Sequence, residues 1–294
     1  MKINSPDYFI NESNATHAGF WEPHTSSIDF CETNYLLSNY VVEVHNALSS
    51  LWGIALPGII GILYGNPTNE LRFVITYAIL VFIGLGSMAL HGTLHWAFQS
   101  SDELPMMFLE LSVIYCLIEV KSARNQVQYP RLPLYFLILA LVDAFVYFQF
   151  QQIYIIFLSS FIGIMLVAFW LHARLALQQW KTRNENKTSQ VALKFYYWHY
   201  LSFIVVAVPI WAVDQLACDR FLAFYNSTPW PLQGCTAHVV WHAMAGMAAH
   251  FMAQFVIACR MDSLKMPCEM QWVLGGLIPV VSKTNSMDSR RKQE

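Results

Sequence analysis

Three histidines stand in an otherwise apolar stretch near the carboxyl end, "CTAHVVWHAMAGMAAH", which covers residues 235–250. His238 and His242 are four residues apart, so on a helix they project from the same face. Two imidazoles at this spacing form half of a zinc site. The alternative is a pair of polar groups that are hydrogen-bonded in a helix interface. His250 lies eight residues further on, and we interpret it as a packing residue or as a partner of a ligand.

A second polar group lies in "GLGSMALHGTLHWAFQSSDELP", residues 84–105. Ser87, His91 and His95 follow one another at intervals of four, and Asp102 comes seven residues later. His91 together with the histidine pair of the later stretch supplies three neutral imidazoles. A catalytic zinc takes three protein ligands and leaves its fourth position to water, whose pKa it lowers towards about 7. The residue types therefore predict a catalytic Zn²⁺ site.

The carboxylate and the hydroxyl have distinct predicted roles. Asp102 is the candidate general base, because a carboxylate that does not ligate the metal can take the proton of water. Ser87 is expected to position that water or to donate to a developing oxyanion.

Each of these residues also has a structural interpretation. Ser100 and Glu103 fit a capping box, so Asp102 could instead stabilise a helix N-terminus. Ser87 could bond to the backbone of its own helix. His95 is either a fourth ligand or a residue at the membrane–water interface, and we favour the interface.

Hard oxygen donors gather in a third segment, "IDFCETNYLLSNYVVEVHN". Asp29, Glu32 and Asn34 fall within six residues, and Glu43 and Asn46 follow, about one or two turns inside the first predicted helix. This density of carboxylates and amides suits Ca²⁺. The alternative is a polar cap on the helix. Glu43 favours the cation, because a carboxylate inside a membrane helix needs a cation or a proton.

The elements that must position these residues are long apolar blocks. Apolar residues make up 56% of the 294 residues and charged residues 12%, which is typical of an integral membrane protein. We predict an all-α bundle of seven transmembrane helices, each near the ~20 residues that a span needs. The predicted spans are 36–64, 71–94, 103–120, 132–150, 153–177, 197–217 and 236–259. A tight turn at "QQ" separates the fourth and fifth spans, with one long kinked helix as the alternative.

The distribution of positive charge predicts the orientation. With the N-terminus in the lumen and the C-terminus in the cytosol, fifteen of the 17 Lys and Arg residues fall on the cytosolic side. Residues 1–35 then form a lumenal cap, 36–260 the transmembrane catalytic domain and 261–294 a cytosolic tail. The sequons at Asn11, Asn14 and Asn226 are lumenal and predict glycosylation. No signal peptide and no basic nucleic-acid-binding arm is recognised.

Two loops and the cysteines complete the sequence-based predictions. Residues 178–190 read as a charged loop, and 272–281 as a segment too short to span the membrane, lying at its surface. Cys31 and Cys218 both lie at the lumenal edge, where an oxidising compartment permits a disulfide. Cys235 is a nearby competitor for either partner. The other three cysteines are expected to be free.

The blocks "GFWEPHTSSIDFCETNY", "GSMALHGTLHWAFQSSDELPMMF", "WAVDQLACDR" and "HVVWH" resemble, in this order, those of the alkaline ceramidases, a family of seven-helix membrane amidases. The resemblance covers about residues 19–260. It implies hydrolysis of the ceramide amide to a sphingoid base and a fatty acid. Adiponectin-receptor-like proteins share a related zinc arrangement but lack the N-terminal block.

The resemblance also implies roles for individual residues. His91, His238 and His242 match the zinc ligands, and Ser87 and Asp102 the catalytic polar pair. The implied calcium ligands are Asp29, Phe30 through its carbonyl, Glu32, Asn34 and Glu43. Cys31 and Cys218 match the family's disulfide. Phe30 stands where a Trp is expected, His95 where a non-ligand is expected, and Tyr154 matches a tyrosine near the site only loosely.

These inferences lead to one principal hypothesis and two alternatives. The principal one is a zinc-dependent ceramidase of the endoplasmic reticulum or Golgi membrane that takes ceramide from the bilayer and needs no obligate protein partner. The first alternative is a receptor with a structural zinc site that His95 completes. The second is a transporter that uses the buried carboxylates as a path for cations or protons.

Overall fold

The computed structural model describes residues 19–150 and 153–284, and this part of the chain contains seven long helices and one β-hairpin. We number the helices in chain order. They are α1 Val44–Tyr64, α2 Leu71–Thr93, α3 Trp96–Ile118, α4 Leu132–Phe150, α5 Tyr154–Thr182, α6 Lys187–Ser227 and α7 His238–Ser263. A π-helical segment interrupts α1 at Ser50–Ala55 and α6 at Leu201–Ala207.

Six of these helices are long and apolar enough to cross a membrane. The exception is α3. It is as long as α2, with 23 residues, but it carries the acidic residues Asp102, Glu103 and Glu110. On α4 only Tyr147 is buried, and most of the exposed side chains are apolar, as on a helix that is surrounded by lipid. The chain is therefore mostly helical, as predicted, and consistent with a multi-pass membrane protein.

The chain reverses direction between α4 and α5. The rings of Tyr147 and Phe157 have centroids 5.9 Å apart. One continuous helix, rising 1.5 Å per residue, would separate these positions by about 15 Å. The alternative of a single long kinked helix is therefore wrong.

The predicted starts of two helices were wrong. The first helix begins at Val44 rather than 36, because the backbone N–H groups of Val42 and Glu43 donate to the carbonyls of Gly92 and His91 and hold this segment extended. Glu43 therefore precedes the helix. The third predicted helix begins at Trp96 rather than 103.

The capping box at the start of the third predicted helix was also wrong. His95 caps α3, with its Nδ1 accepting from the N–H of Ala97 at 3.2 Å. Ser100 donates instead to the carbonyl of Ala97. Asp102 consequently lies inside the helix rather than on the loop before it.

The predicted loop over 178–190 is largely helical, since α5 continues to Thr182 and α6 begins at Lys187. Asn186 caps α6 by accepting from the N–H of Thr188 at 2.9 Å. The Asp262 carboxylate of α7 accepts from Asn186 Nδ2 at 2.5 Å, which fixes the turn against the helical bundle.

Residues after α7 form an antiparallel hairpin of β1 Cys268–Val273 and β2 Ile278–Lys283, so the described chain is not entirely α-helical. Gly275 and Gly276 both have positive φ and make the turn. The hairpin packs on the bundle, because Val281 N–H donates to Gln254 Oε1 at 2.5 Å and His250 Nε2 donates to the Pro279 carbonyl at 2.8 Å. His250 is thus a buried packing residue.

Helices α1 and α7 approach each other at two glycines. A Cβ at Gly246 would lie 2.0 Å from the carbonyl oxygen of Gly53. The two helices can approach this closely only because glycine has a hydrogen atom in place of a side chain. Because Gly246 is one turn after His242 and Gly53 is one turn after Ser49, the contact sets the separation of those two side chains.

Candidate active site

His91, His238 and His242 converge at one end of the bundle. His91 lies near the end of α2, and the other two lie in the first two turns of α7. Their ring centroids are 4.6–5.2 Å apart and all three are buried. One nitrogen from each ring lies within 4.8 Å of the others, which is close enough to hold one metal ion.

The Nδ1 atom of each imidazole faces a side chain of another element. His91 Nδ1 donates to Glu43 Oε2 at 2.5 Å, and His242 Nδ1 donates to Ser49 Oγ at 2.7 Å. His238 Nδ1 lies 3.4 Å from Asp214 Oδ2, an ion-pair distance rather than a close hydrogen bond. Such partners hold a metal-ligating histidine in one tautomer and orientation. The Nε2 atoms of the three rings remain available to a metal ion.

This donor set fits zinc. Three neutral imidazoles, each oriented by a carboxylate or a hydroxyl, are a common catalytic zinc site with one coordination position left for water or substrate. His238 and His242 also line a largely apolar cavity, from which a reactant could approach them.

Ser87 and Asp102 lie at the same cavity and are hydrogen-bonded to each other. Ser50 Oγ lies 3.1 Å from Ser87 Oγ, and the Asp102 carboxylate accepts from the Ser87 hydroxyl. The structure therefore does not show the bond from Ser87 to its own helix backbone. A carboxylate and a hydroxyl facing the histidine cluster across a cavity can exchange a proton with a bound reactant.

Apolar side chains make up most of the cavity wall. It is lined by residues of α1, α2, α3, α5, α6 and α7 and of the segment before α1, and it has the histidines at one end. Tyr154 is part of the lining, which places it at the cavity although its sequence match was loose. The apolar residues that line it include Ile54, Leu80, Ile83, Met106, Leu109, Phe157, Phe161 and Ala249. Such a wall suits a hydrocarbon chain.

His95 does not join the histidine cluster. Among the described residues, the converging group comprises the other three histidines. His95 is partly exposed, caps α3 and packs against Trp96 and Phe98.

The predicted calcium segment folds against the histidine cluster. Glu32 accepts from the N–H groups of His45 and Asn46, each at 2.8 Å, and so caps α1. Burial raises the pKa of Glu32 to about 7, against the lowering effect of these bonds. A bound cation would offset the free-energy cost of burying the charged carboxylate.

Three buried oxygens of this segment have no hydrogen-bond partner, namely Asn34 Oδ1, Glu43 Oε1 and Asn46 Oδ1. Asp29 Oδ1 accepts from the N–H of Phe30 at 3.0 Å, and the Phe30 ring packs on His91 and His238. Oxygens of this kind fit a calcium ion. Glu43 belongs to both the calcium-ligand segment and the histidine cluster, because its Oε1 atom is unpartnered and its Oε2 atom accepts from His91 Nδ1.

The remaining predicted residues are the cysteines and the asparagines of the sequons. The structure joins Cys31 to Cys218 with Cα atoms 5.4 Å apart, the pairing that the resemblance implies, and Cys235 is free. Asn226 is partly buried and its Nδ2 donates to Thr33 Oγ1 at 2.9 Å. Asn11 and Asn14 lie outside the described residues.

Sequence reasoning missed two partners of the histidines. Asp214 is a buried carboxylate within the longest helix, and an acidic residue in a predicted span was a signal that could have identified it. Ser49 offered no comparable signal, because serine is common in helices of membrane proteins.

Comparison with known proteins identifies the family. A family model for ceramidases matches residues 22–282. The chain belongs to the ceramidase family. Alkaline ceramidase 3 of Mus musculus is 27% identical over 263 residues, covering 87% of this chain and 92% of the mouse protein. An alkaline ceramidase of Arabidopsis thaliana is 28% identical over 264 residues, covering 88% and 94%. The family resemblance is thereby confirmed, and the chain is an enzyme of the ceramidase class.

Proposed function

We propose that this protein hydrolyses the amide bond of ceramide to a sphingoid base and a fatty acid, in a zinc-dependent reaction within the membrane. The observation that carries the proposal is the convergence of three histidines and the Ser87–Asp102 pair at one end of an apolar cavity. The family membership and the alkaline ceramidases among the relatives support the substrate.

His91, His238 and His242 would hold the metal through their Nε2 atoms. Zinc held there polarises a carbonyl group and makes a water molecule more acidic. Glu43, Ser49 and Asp214 keep the three rings in the ligating orientation.

Asp102 is the proton carrier. Its carboxylate accepts a proton from the attacking water, whose oxygen bonds to the amide carbon. The same proton then passes to the nitrogen as the carbon–nitrogen bond breaks, so that the products are an amine and a carboxylic acid. Ser87 orients Asp102 at rest, and its hydroxyl can turn to donate to the oxyanion.

The apolar cavity receives the hydrocarbon portion of the lipid, which enters from the bilayer between helices. This orientation leaves the polar head of the substrate next to the histidines. The cavity's aliphatic and aromatic lining supports this placement.

The calcium-ligand segment acts as a brace. Asp29, Glu32, Asn34, Glu43 and the carbonyl of Phe30 would bind Ca²⁺ and neutralise mutual repulsion among the carboxylates. The unpartnered oxygens of Asn34 and Glu43 support this role. The ion would also hold Glu43 against His91.

The proposed topology has seven spans, with the N-terminus in the lumen of the endoplasmic reticulum or Golgi and the C-terminus in the cytosol. Seven long helices and the cytosolic excess of Lys and Arg support it. In this topology α3 is the seventh span, and it is less apolar than the other six because it carries the catalytic carboxylate. Glycans at Asn11, Asn14 and Asn226 would then be lumenal.

The test is an assay of the purified full chain with a panel of ceramides, with and without a zinc chelator. We expect release of free sphingoid base that the chelator abolishes and added zinc restores. A receptor with a structural zinc site would bind the metal without releasing base, and a transporter would support flux without hydrolysis. Either result would contradict the proposal.

A further inference from the structure

Glu110 is a buried acidic residue that the proposed reaction does not use. It lies on α3, lines the same apolar cavity as His238 and His242, and has only 9% of its surface exposed. Its Oε2 atom is buried and has no hydrogen-bond partner. A carboxyl group in apolar surroundings costs free energy unless it finds such a partner.

The neighbouring acidic residues of α3 are satisfied within the protein. Glu103 accepts from Gln99 Nε2 at 3.0 Å and from the Tyr147 hydroxyl at 2.7 Å. Asp102 accepts from Ser87. All three line the cavity, and Glu110 differs from the other two because its Oε2 atom has no hydrogen-bond partner among the described residues.

The position of Glu110 along the cavity is defined by three helices. The lining residues on these helices fall within 80–87 on α2, 102–110 on α3 and 238–249 on α7, where 238–242 carries the two histidines. Each range begins or ends at the polar site and extends about two helical turns away from it, or roughly 11 Å. Glu110 therefore lies at the end opposite the histidines.

The surroundings of Glu110 restrict its ligand. The lining residues at this end include Leu80, Leu109 and Ala249, and no Lys or Arg lines the cavity. A cationic partner from the protein is therefore absent among the described lining residues. A chain that ends in a methyl group would leave the carboxyl unsatisfied, whereas a hydroxyl can both donate to it and accept from it.

We propose that Glu110 is a specificity residue that hydrogen-bonds a hydroxyl group on the hydrocarbon chain of the substrate, about two helical turns from the scissile amide. This inference rests on the proposed ceramide hydrolysis. The preferred substrates are ceramides with a hydroxylated chain, and unsubstituted chains of the same length are cleaved less efficiently.

The experiment compares kcat/KM for matched pairs of ceramides. One series carries N-acyl chains of increasing length that end in a hydroxyl or a methyl group, and a second series places the hydroxyl along the sphingoid chain. We expect a preference of about tenfold for the hydroxyl at one matching distance. The series in which it occurs identifies the chain that enters the cavity.

Variants assign the preference to Glu110. Glu110→Leu should reduce the hydroxyl-to-methyl ratio to about one, whereas Glu110→Gln, which keeps hydrogen-bonding groups, should retain most of it. Met106→Leu, a change of similar volume in the same wall, should alter both rates by the same factor. Melting temperatures identify variants that fail to fold.

The outcomes separate the two proposals. Hydrolysis of both lipids with no preference at any length, or with a preference that persists in Glu110→Leu, overturns the role of Glu110 alone. If Glu110→Leu does not fold, Glu110→Ala replaces it, and a preference that persists in Glu110→Ala overturns the role of Glu110. No hydrolysis of any ceramide by the unaltered protein overturns the proposed function and this inference together.

Discussion

The contact between Gly53 and Gly246 permits a test of the zinc site without changing any ligand. In Gly246→Ala the new Cβ would lie 2.0 Å from the Gly53 carbonyl oxygen, whereas such contacts are essentially never shorter than 3.0 Å. Both atoms belong to helix backbones, so α1 and α7 must separate by about 1 Å at this point.

That separation acts directly on a zinc ligand. Ser49 Oγ and His242 Nδ1 lie one turn away on the same two helices and are 2.7 Å apart. A separation of about 1 Å would lengthen this hydrogen bond to about 3.7 Å, beyond the hydrogen-bonding range. Loss of such a partner costs about 10- to 100-fold in metal affinity. Misplacement of a reacting group by 1 Å costs about 100-fold in rate.

The assay measures zinc affinity by competition with a chelator, and turnover of ceramide at saturating zinc. Gly163→Ala on α5 is the matched control, because a Cβ there meets nothing within 4 Å. Gly53→Ala should be milder than Gly246→Ala, since its nearest contact is 2.9 Å. A folded Gly246→Ala protein with the zinc affinity and turnover of the control would refute the reasoning.

Three further predictions address the roles of individual groups. Asp102→Asn should keep zinc but lose nearly all turnover, whereas His242→Ala should lose both zinc and turnover. Metal analysis beside the activity assay separates the two variants. An active Asp102→Asn enzyme would refute the proton-carrier role. Asp214→Asn should lower zinc affinity about 10- to 100-fold, and unchanged competition with a chelator would show that Asp214 does not orient His238. Removal of calcium with a selective chelator should lower activity and melting temperature; if neither responds, the calcium-ligand segment is only a helix cap.

The histidine cluster could be predicted because its chemistry depends on residue type and spacing. His238 and His242 share a helix face at any rotation of that helix, and few other side chains suit zinc. The partners Ser49 and Asp214 could not be assigned in the same way. Their roles depend on how α1 and α6 pack against α7, which no local pattern specifies.

The presence of each helix was easier to predict than the residues at which it begins and ends. Long apolar blocks predict helices because a membrane span must satisfy its own backbone. The start of α1 depends instead on backbone bonds from Val42 and Glu43 to α2, a contact between segments nearly fifty residues apart in sequence. The start of α3 was obscured because Asp102 and Glu103 interrupt the apolar pattern inside the helix.

The hairpin after α7 was missed for a related reason. A short apolar run such as 272–281 does not reveal whether it forms a strand, a turn or a surface segment. Gly275 and Gly276 were the available turn signal. Pairing with β1 and contact with Gln254 decide the outcome, and both are tertiary interactions.

The most direct test of the zinc-dependent mechanism is a metal reconstitution of the purified protein. The enzyme is stripped of metal with a chelator, and release of sphingoid base from ceramide is followed while zinc is added back. We predict that activity is absent at first, rises in proportion to added zinc, and saturates at one equivalent per chain, with no recovery in His242→Ala. Ceramide hydrolysis that persists without zinc, or that zinc fails to restore in a folded protein, would contradict the account.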